Sequence, residues 1–186
     1  MNITRGKLGG VAHITFEPRE DARGFFMRIY DKKLFETHGI HREWVEESQS
    51  FTKLRGTVRG LRFQYPPHAE AKLVRLWSGE AFVVAVDLRK GSPTMGQWEG
   101  VVLAEGRNML FVPRGFAMGM CTVTDDCHLH YRMDTHYHPE SQGAIRWDDP
   151  DLKIIWPVAR AAAISERDMK AMSFQEFVQV RGGLLT

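Results

Sequence analysis

Apolar residues in this chain gather in short runs broken by glycine, proline and charged clusters. Lys72-Leu73-Val74-Arg75-Leu76-Trp77 is followed by the turn pair Ser78-Gly79. Ala81 to Leu88 is almost wholly apolar and is bounded by Arg89-Lys90-Gly91-Ser92-Pro93. Gln97 to Leu103, Asn108 to Val112 before Pro113, and Cys127 to Met133 complete the set. Short runs with turn residues at this spacing predict an all-β sandwich or barrel. Long helical periods do not alternate with them, which argues against a doubly wound sheet. Two helical regions are expected. Lys32 to Thr37 is closed by Gly39. A second region opens near Ser165, where Ser165-Glu166-Arg167-Asp168 and Ser173-Phe174-Gln175-Glu176 both have capping-box spacing. There is no internal repeat or linker, so the expectation is one domain over residues 1–186, with a barrel over about 10–158 and a C-terminal helical segment over about 163–180. Arg181 to Thr186 is expected to be loose.

The chain has 186 residues, enough to bury a core without disulfides. Hydrophobic residues make up 43% and charged residues 26%, as in an ordinary globular protein. A net charge of +2 with both signs interspersed gives no argument for nucleic acid. Cys121 and Cys127 read as reduced structural thiols. The N-terminus lacks the apolar run of a signal peptide, and no window reaches the apolar length of a membrane span. A cytoplasmic protein without a membrane partner is expected.

Pro113-Arg114-Gly115-Phe116-Ala117-Met118 resembles the second signature of the cupin barrel. The position usually held by an inward-facing, often metal-ligating histidine is Met118, and a thioether is a weak ligand for hard or borderline metals. Where the first signature carries a His-x-His pair, this chain has Arg62-Phe63-Gln64. His128 and His130 share one face of their strand. If Tyr131 points into the barrel, both point away. His136 and His138 sit in a loop beside Pro139. Neither pair brings the third ligand of a site, so no metal is expected.

Taken in order, several blocks resemble the dTDP-4-dehydrorhamnose 3,5-epimerase family over about Thr15 to Lys170. They are Asp21-Ala22-Arg23-Gly24-Phe25-Phe26, Val58-Arg59-Gly60-Leu61, Ala71-Lys72-Leu73-Val74-Arg75, Val84 to Arg89, Gly91-Ser92-Pro93-Thr94, Val112 to Ala117 and Trp147-Asp148-Asp149-Pro150. The resemblance implies a cupin or jelly-roll barrel with short flanking helices and no metal or cofactor. It also implies a homodimer that exchanges N-terminal strands, and a nucleotide-diphosphate sugar, a thymidine-diphosphate 4-keto-6-deoxyhexose, as ligand. The reaction it implies removes a proton beside the keto group, forms an enolate, and reprotonates from the opposite face. Such chemistry needs a base, an acid on the other face, and positive charge at the enolate oxygen.

By position, the resemblance assigns Lys72 to the enolate, Tyr131 to the second-face proton, and Asp168 to orienting the base. It assigns Arg23 and Arg59 to the diphosphate, with Phe25 and Gln64 among the substrate contacts. Each has a plainer reading: Lys72 a solvated strand-start lysine, Tyr131 a barrel-filling aromatic, Asp168 the end of a capping box, and the arginines surface ion pairs. The departures fall where chemistry belongs. Arg62 occupies the place of the base histidine, and a guanidinium does not give up its proton. Met118 replaces a second histidine. Val83, Glu46-Glu47-Ser48, Arg28 and His136 depart at further positions, His136 standing where a tyrosine packs on the sugar.

Two functions follow. One is an isomerase of altered specificity, with Arg62 beside Lys72 on the enolate, Tyr131 as a tyrosinate stabilised by cations, or His136 folded inward as a replacement base. The other is a non-catalytic homologue that binds a sugar nucleotide, with Arg62 as an added anion contact. A ketoisomerase or dehydratase on the same enolate is a weaker third. Retention of Lys72 and Tyr131 tips the balance toward an enzyme.

Overall fold

The computed structural model describes residues 1–185. Strands appear in the order β1 (Asn2–Arg5), β2 (Ala12–Thr15), β3 (Arg19–Asp21), β4 (Gly24–Phe26), β5 (Glu46–Thr52), β6 (Val58–Gln64), β7 (Lys72–Ser78), β8 (Glu80–Asp87), β9 (Trp98–Ala104), β10 (Asn108–Val112), β11 (Phe116–Thr122), β12 (Cys127–Met133) and β13 (Gln142–Ala144). One sheet runs β1-β2-β10-β7-β12-β5 and the other β13-β6-β11-β8-β9, while β3 and β4 form a separate hairpin. All neighbours are antiparallel. This is the all-β cupin or jelly-roll architecture expected from the sequence, although β1 lies N-terminal to the expected start of the barrel.

Alternation along the strands sorts side chains into three layers. Val74, Leu76, Val83, Ala85, Leu110, Met120 and Leu129 face one another between the sheets. Leu73, Phe111, Met109, Ile14 and Phe35 pack on the outside of the larger sheet. Leu61, Phe63, Val84, Val86 and Phe177 pack on the outside of the smaller one. Both strand faces are therefore buried along β8, which explains its unbroken apolar run.

Two of three short helices cover these outer faces, and the other packs against β6. α1 (Lys32–Thr37) begins at Asp31, whose carboxylate accepts from Leu34 N at 3.3 Å. α2 (Glu166–Met169) begins at Ser165, and α3 (Phe174–Arg181) at Ser173 in a complete capping box with Glu176. Phe177 anchors α3 to the smaller sheet. The expected loose tail is corrected over residues 182–184: Leu184 is buried, its N–H donates to Leu88 O, and its carbonyl accepts from Lys90 N. Burial of the Leu184 side chain offsets the ordering of that segment; Thr186 lies outside the described residues.

Candidate functional site

The mouth of the barrel holds a cavity of about 420 Å³. Glu46, Ser48 and Ser50 line it from β5, Met118 and Met120 from β11, and Leu129, Tyr131 and Met133 from β12. In each strand these residues alternate, so they lie on its inward face. Lys72 enters from the start of β7, with Glu70 two residues before it on the same side.

Arg59 and Arg62 both line the cavity, although three residues apart on β6 they belong on opposite faces of a regular strand. An irregular register resolves this. Arg62 pairs with Met118 but Arg59 pairs with Met120, so β6 spends one more residue than β11 between the two pairings. Gly60 sits in that bulge with φ +107°, and a Cβ there would meet Met118 O at 2.6 Å and Gly119 Cα at 2.7 Å. The glycine lets β6 lie close against β11 while turning both guanidinium groups inward.

Arg62 is committed. Its Nε donates to Asp168 Oδ1 at 2.9 Å and its Nη2 to Oδ2 at 3.0 Å. Asp168 is 1% exposed and also accepts from Gly60 N. Ser165 Oγ caps Asp168 N as the sequence predicts, but the Asp168 carboxylate turns to Arg62 instead of closing the box. Arg59 is braced by Thr52 Oγ1 at 3.0 Å and Phe51 O at 3.0 Å.

Lys72 is 9% exposed, so it is not a solvated strand-start lysine; its Nζ pairs with Glu70 Oε1. Tyr131 faces the cavity. Burial first, then the charge of Glu70, pushes its phenol above the ordinary value, and contact with Ser48 and the charges of Arg59 and Arg62 do not offset this. The expected tyrosinate is thereby corrected: at neutral pH the phenol keeps its proton. His128 and His130 point away from the cavity, His128 against Phe51 and His130 against Glu47 and Trp77. Burial, the largest influence, lowers the His130 pKa despite Glu47.

Other expected contacts lie elsewhere. Gln64 is 2% exposed and does not line the cavity. Its amide is spent holding His68 O at 3.0 Å, His136 O at 3.1 Å, Glu70 Oε2 at 3.3 Å and His138 N at 2.6 Å, so it braces the loops around the site. The His136 ring is turned outward and bonded through Nδ1 to Glu46 Oε1 at 3.0 Å, so it is not folded in as a base. Arg23 and Phe25 stand on the exposed β3–β4 hairpin, with Arg23 paired to Asp21, and neither lines this cavity. Sequence reasoning passed over Glu70 and Tyr137. The signal for Glu70 was its i, i+2 spacing to Lys72, which places both on one side of an extended strand.

His68, His138 and Glu140 bring three potential metal-ligand atoms within 4.8 Å of one another. The two imidazoles stack at 3.5 Å between centroids, so their ring nitrogens do not converge on one point. His68 Nδ1 is taken by Ser141 Oγ and His138 Nδ1 by Glu140. Among the described residues, no helix is long and apolar enough to cross a membrane.

A sequence model of dTDP-4-dehydrorhamnose 3,5-epimerase matches residues 5–176. A protein of that name from Methanothermobacter thermautotrophicus is 42% identical, over 90% of this chain and 91% of its own. A Legionella pneumophila dTDP-6-deoxy-D-glucose-3,5-epimerase, solved with dTDP-4-keto-L-rhamnose, is 35% identical with a TM-score of 0.87, covering 92% of each chain. A 3'-monoepimerase from Streptomyces bikiniensis, solved with dTDP-quinovose, is 26% identical with a TM-score of 0.87, covering 96% of this chain and 90% of that one. By fold, by ordered sequence blocks and by these matches, the chain belongs to the dTDP-4-dehydrorhamnose 3,5-epimerase family.

Proposed function

We propose that this protein is an isomerase of a dTDP-linked 4-keto-6-deoxyhexose, working by enolate chemistry beside the keto carbon. The observation that carries the reading is the convergence of Lys72, a protonated Tyr131 and Arg59 on one cavity. The Lys72 ammonium receives the keto oxygen and holds the negative charge that develops when the neighbouring C–H proton leaves. The C–H electron pair becomes the enolate double bond. Tyr131 then gives its phenolic proton to the opposite face of that carbon, which inverts the centre. Arg59 suits the diphosphate, because a braced fork of N–H donors matches phosphate oxygens. Arg62 is held by Asp168 and acts as a fixed positive wall, not as the base.

The reading needs no metal or cofactor and sets the chain as one cytoplasmic domain. It also takes a homodimer, in which the exposed β3–β4 hairpin carries Arg23 and Phe25 toward a second copy's cavity. Chain exposure supports that placement, since Phe25 is 63% and Phe26 69% exposed. A second reading, a non-catalytic sugar-nucleotide binder, is favoured by the Arg62–Asp168 pair in place of a base dyad.

Incubating the protein with dTDP-4-keto-6-deoxyglucose in heavy water tests the choice. Deuterium entering C3 or C5, followed by NMR, supports the isomerase. Saturable binding without exchange supports the binder.

A further inference from the structure

The enolate chemistry requires a proton acceptor, and the residues considered for that role from sequence do not supply it. Arg62 is a guanidinium locked to Asp168. Tyr131 is held protonated. The His136 ring is turned to Glu46 at the rim, and His128 and His130 lie on the outer face of β12. Two carboxylates line the cavity, Glu46 and Glu70. Glu46 spends one oxygen on His136 Nδ1 at 3.0 Å and the other on Tyr137 N at 3.1 Å. Glu70 is placed differently. Its side chain is 11% exposed, its Oε1 touches Lys72 Nζ, and its Oε2 has only a long contact, 3.3 Å, with Gln64 Nε2.

We propose that Glu70 is the catalytic base, taking the proton from the carbon beside the keto group. The inference rests on the isomerase reading above. A ketone whose oxygen sits on the Lys72 ammonium presents its α-carbon two bonds away, beside the carboxylate that touches the same ammonium. Carboxylates perform this abstraction in other enzymes when an electrophile holds the carbonyl oxygen and water is kept out. The keto oxygen also competes with Oε1 for Lys72, so substrate binding loosens the contact that quiets the carboxylate.

The step balances. The proton passes from carbon to a Glu70 oxygen, the C–H pair forms the C=C bond, and the carbonyl π pair becomes an enolate oxygen on Lys72. The Tyr131 proton then goes to the opposite face, leaving Glu70 protonated and Tyr131 ionised. One proton returned from Glu70 to Tyr131 through solvent resets the site. Gln64, which supports Glu70 and the loop carbonyls of His68 and His136, is a positioning residue for this base.

The test compares wild type with Glu70→Gln, an isosteric change that keeps a hydrogen-bonding partner for Gln64. Deuterium incorporation into dTDP-4-keto-6-deoxyglucose is expected to fall by about a hundredfold or more, as for loss of a general base. The dissociation constant for dTDP is expected to stay within about threefold. Glu70→Ala with added formate provides an independent readout, because a small carboxylate entering the vacated space restores exchange only when the missing group was a base. Exchange by Glu70→Gln within about threefold of wild type, or no formate rescue of a folded, dTDP-binding Glu70→Ala, overturns the assignment while leaving the isomerase reading intact. A wild type that binds the sugar nucleotide without exchange overturns both.

Discussion

Arg62 and Asp168 meet through two parallel N–H···O bonds of 2.9 and 3.0 Å, joining the central strand of the site to a short helix more than a hundred residues away. The carboxylate is 1% exposed, whereas the guanidinium side chain is 37% exposed. Removing the arginine therefore strands a buried charge. Arg62→Ala is expected to cost on the order of 2 kcal/mol, less than the roughly 3–5 kcal/mol for breaking a fully buried pair because water reaches Arg62. Urea unfolding measures it. Arg62→His is expected to place a titratable ring against the same aspartate and to raise solvent exchange by about tenfold or more, within the range of a positioned general base; a flat exchange assay opposes this.

Tyr131→Phe separates two halves of the chemistry. Without the phenolic proton, the enolate still forms and takes deuterium back from the side on which it lost its proton. Exchange is expected to persist while inversion falls by about a hundredfold. NMR of the recovered sugar nucleotide reports both, and equal loss of both counts against Tyr131 as the opposite-face acid.

Gly60→Ala is expected to disturb two cavity residues at once. The added methyl lies 2.6 Å from Met118 O in a positive-φ position, so the bulge must open. A cost of about 3 kcal/mol is expected from overpacking and backbone strain together. Because the bulge turns both Arg59 and Arg62 inward, dTDP affinity is expected to drop by more than tenfold, about 1.4 kcal/mol. Calorimetric titration alongside thermal unfolding checks the pair of effects, and unchanged affinity would show that the bulge does not aim the arginines.

Asp87 is expected to contribute to the acid limb of stability. Burial pushes its carboxyl up, but hydrogen bonds from Arg89, Ser92 and Thr94 outweigh this and hold it at about 2. The folded value lies below the ordinary 3.8, so the stabilisation is present above that pH and is lost as pH falls toward about 2. The loss amounts to about 2 kcal/mol. Asp87→Asn is expected to flatten the unfolding free energy across this window. A wild-type acid limb persisting in that variant would assign it to other carboxylates.

The barrel strands with dense apolar runs were legible in the chain, since β7 to β10 and β12 each carry a run ended by turn residues. β5 and β6 were not marked in the same way. Glu46–Thr52 is an edge strand with few apolar residues, and the alternation of Val58–Gln64 is broken by its bulge at Gly60. Local capping chemistry placed α1 and α3. The same reasoning left Asp168 between a cap and a site residue. Both its backbone and its carboxylate are polar groups seeking partners, and only the packing of α2 against β6 assigns the carboxylate to Arg62.

The sequence by itself determined the predominance of strands and the family, and it set Arg62 where the resemblance expects a histidine base, because periodicity and ordered motifs are properties of the chain. It also placed His128 and His130 opposite Tyr131, since strand alternation has a period of two. Tertiary structure alone decided which charges share the cavity. A bulge brought Arg59 and Arg62 to one side, burial raised the pKa of the Tyr131 phenol, and loop geometry turned the His136 ring outward while placing Glu70 against Lys72. Those outcomes depend on register, solvent access and partners distant in sequence, which single-chain patterns do not encode.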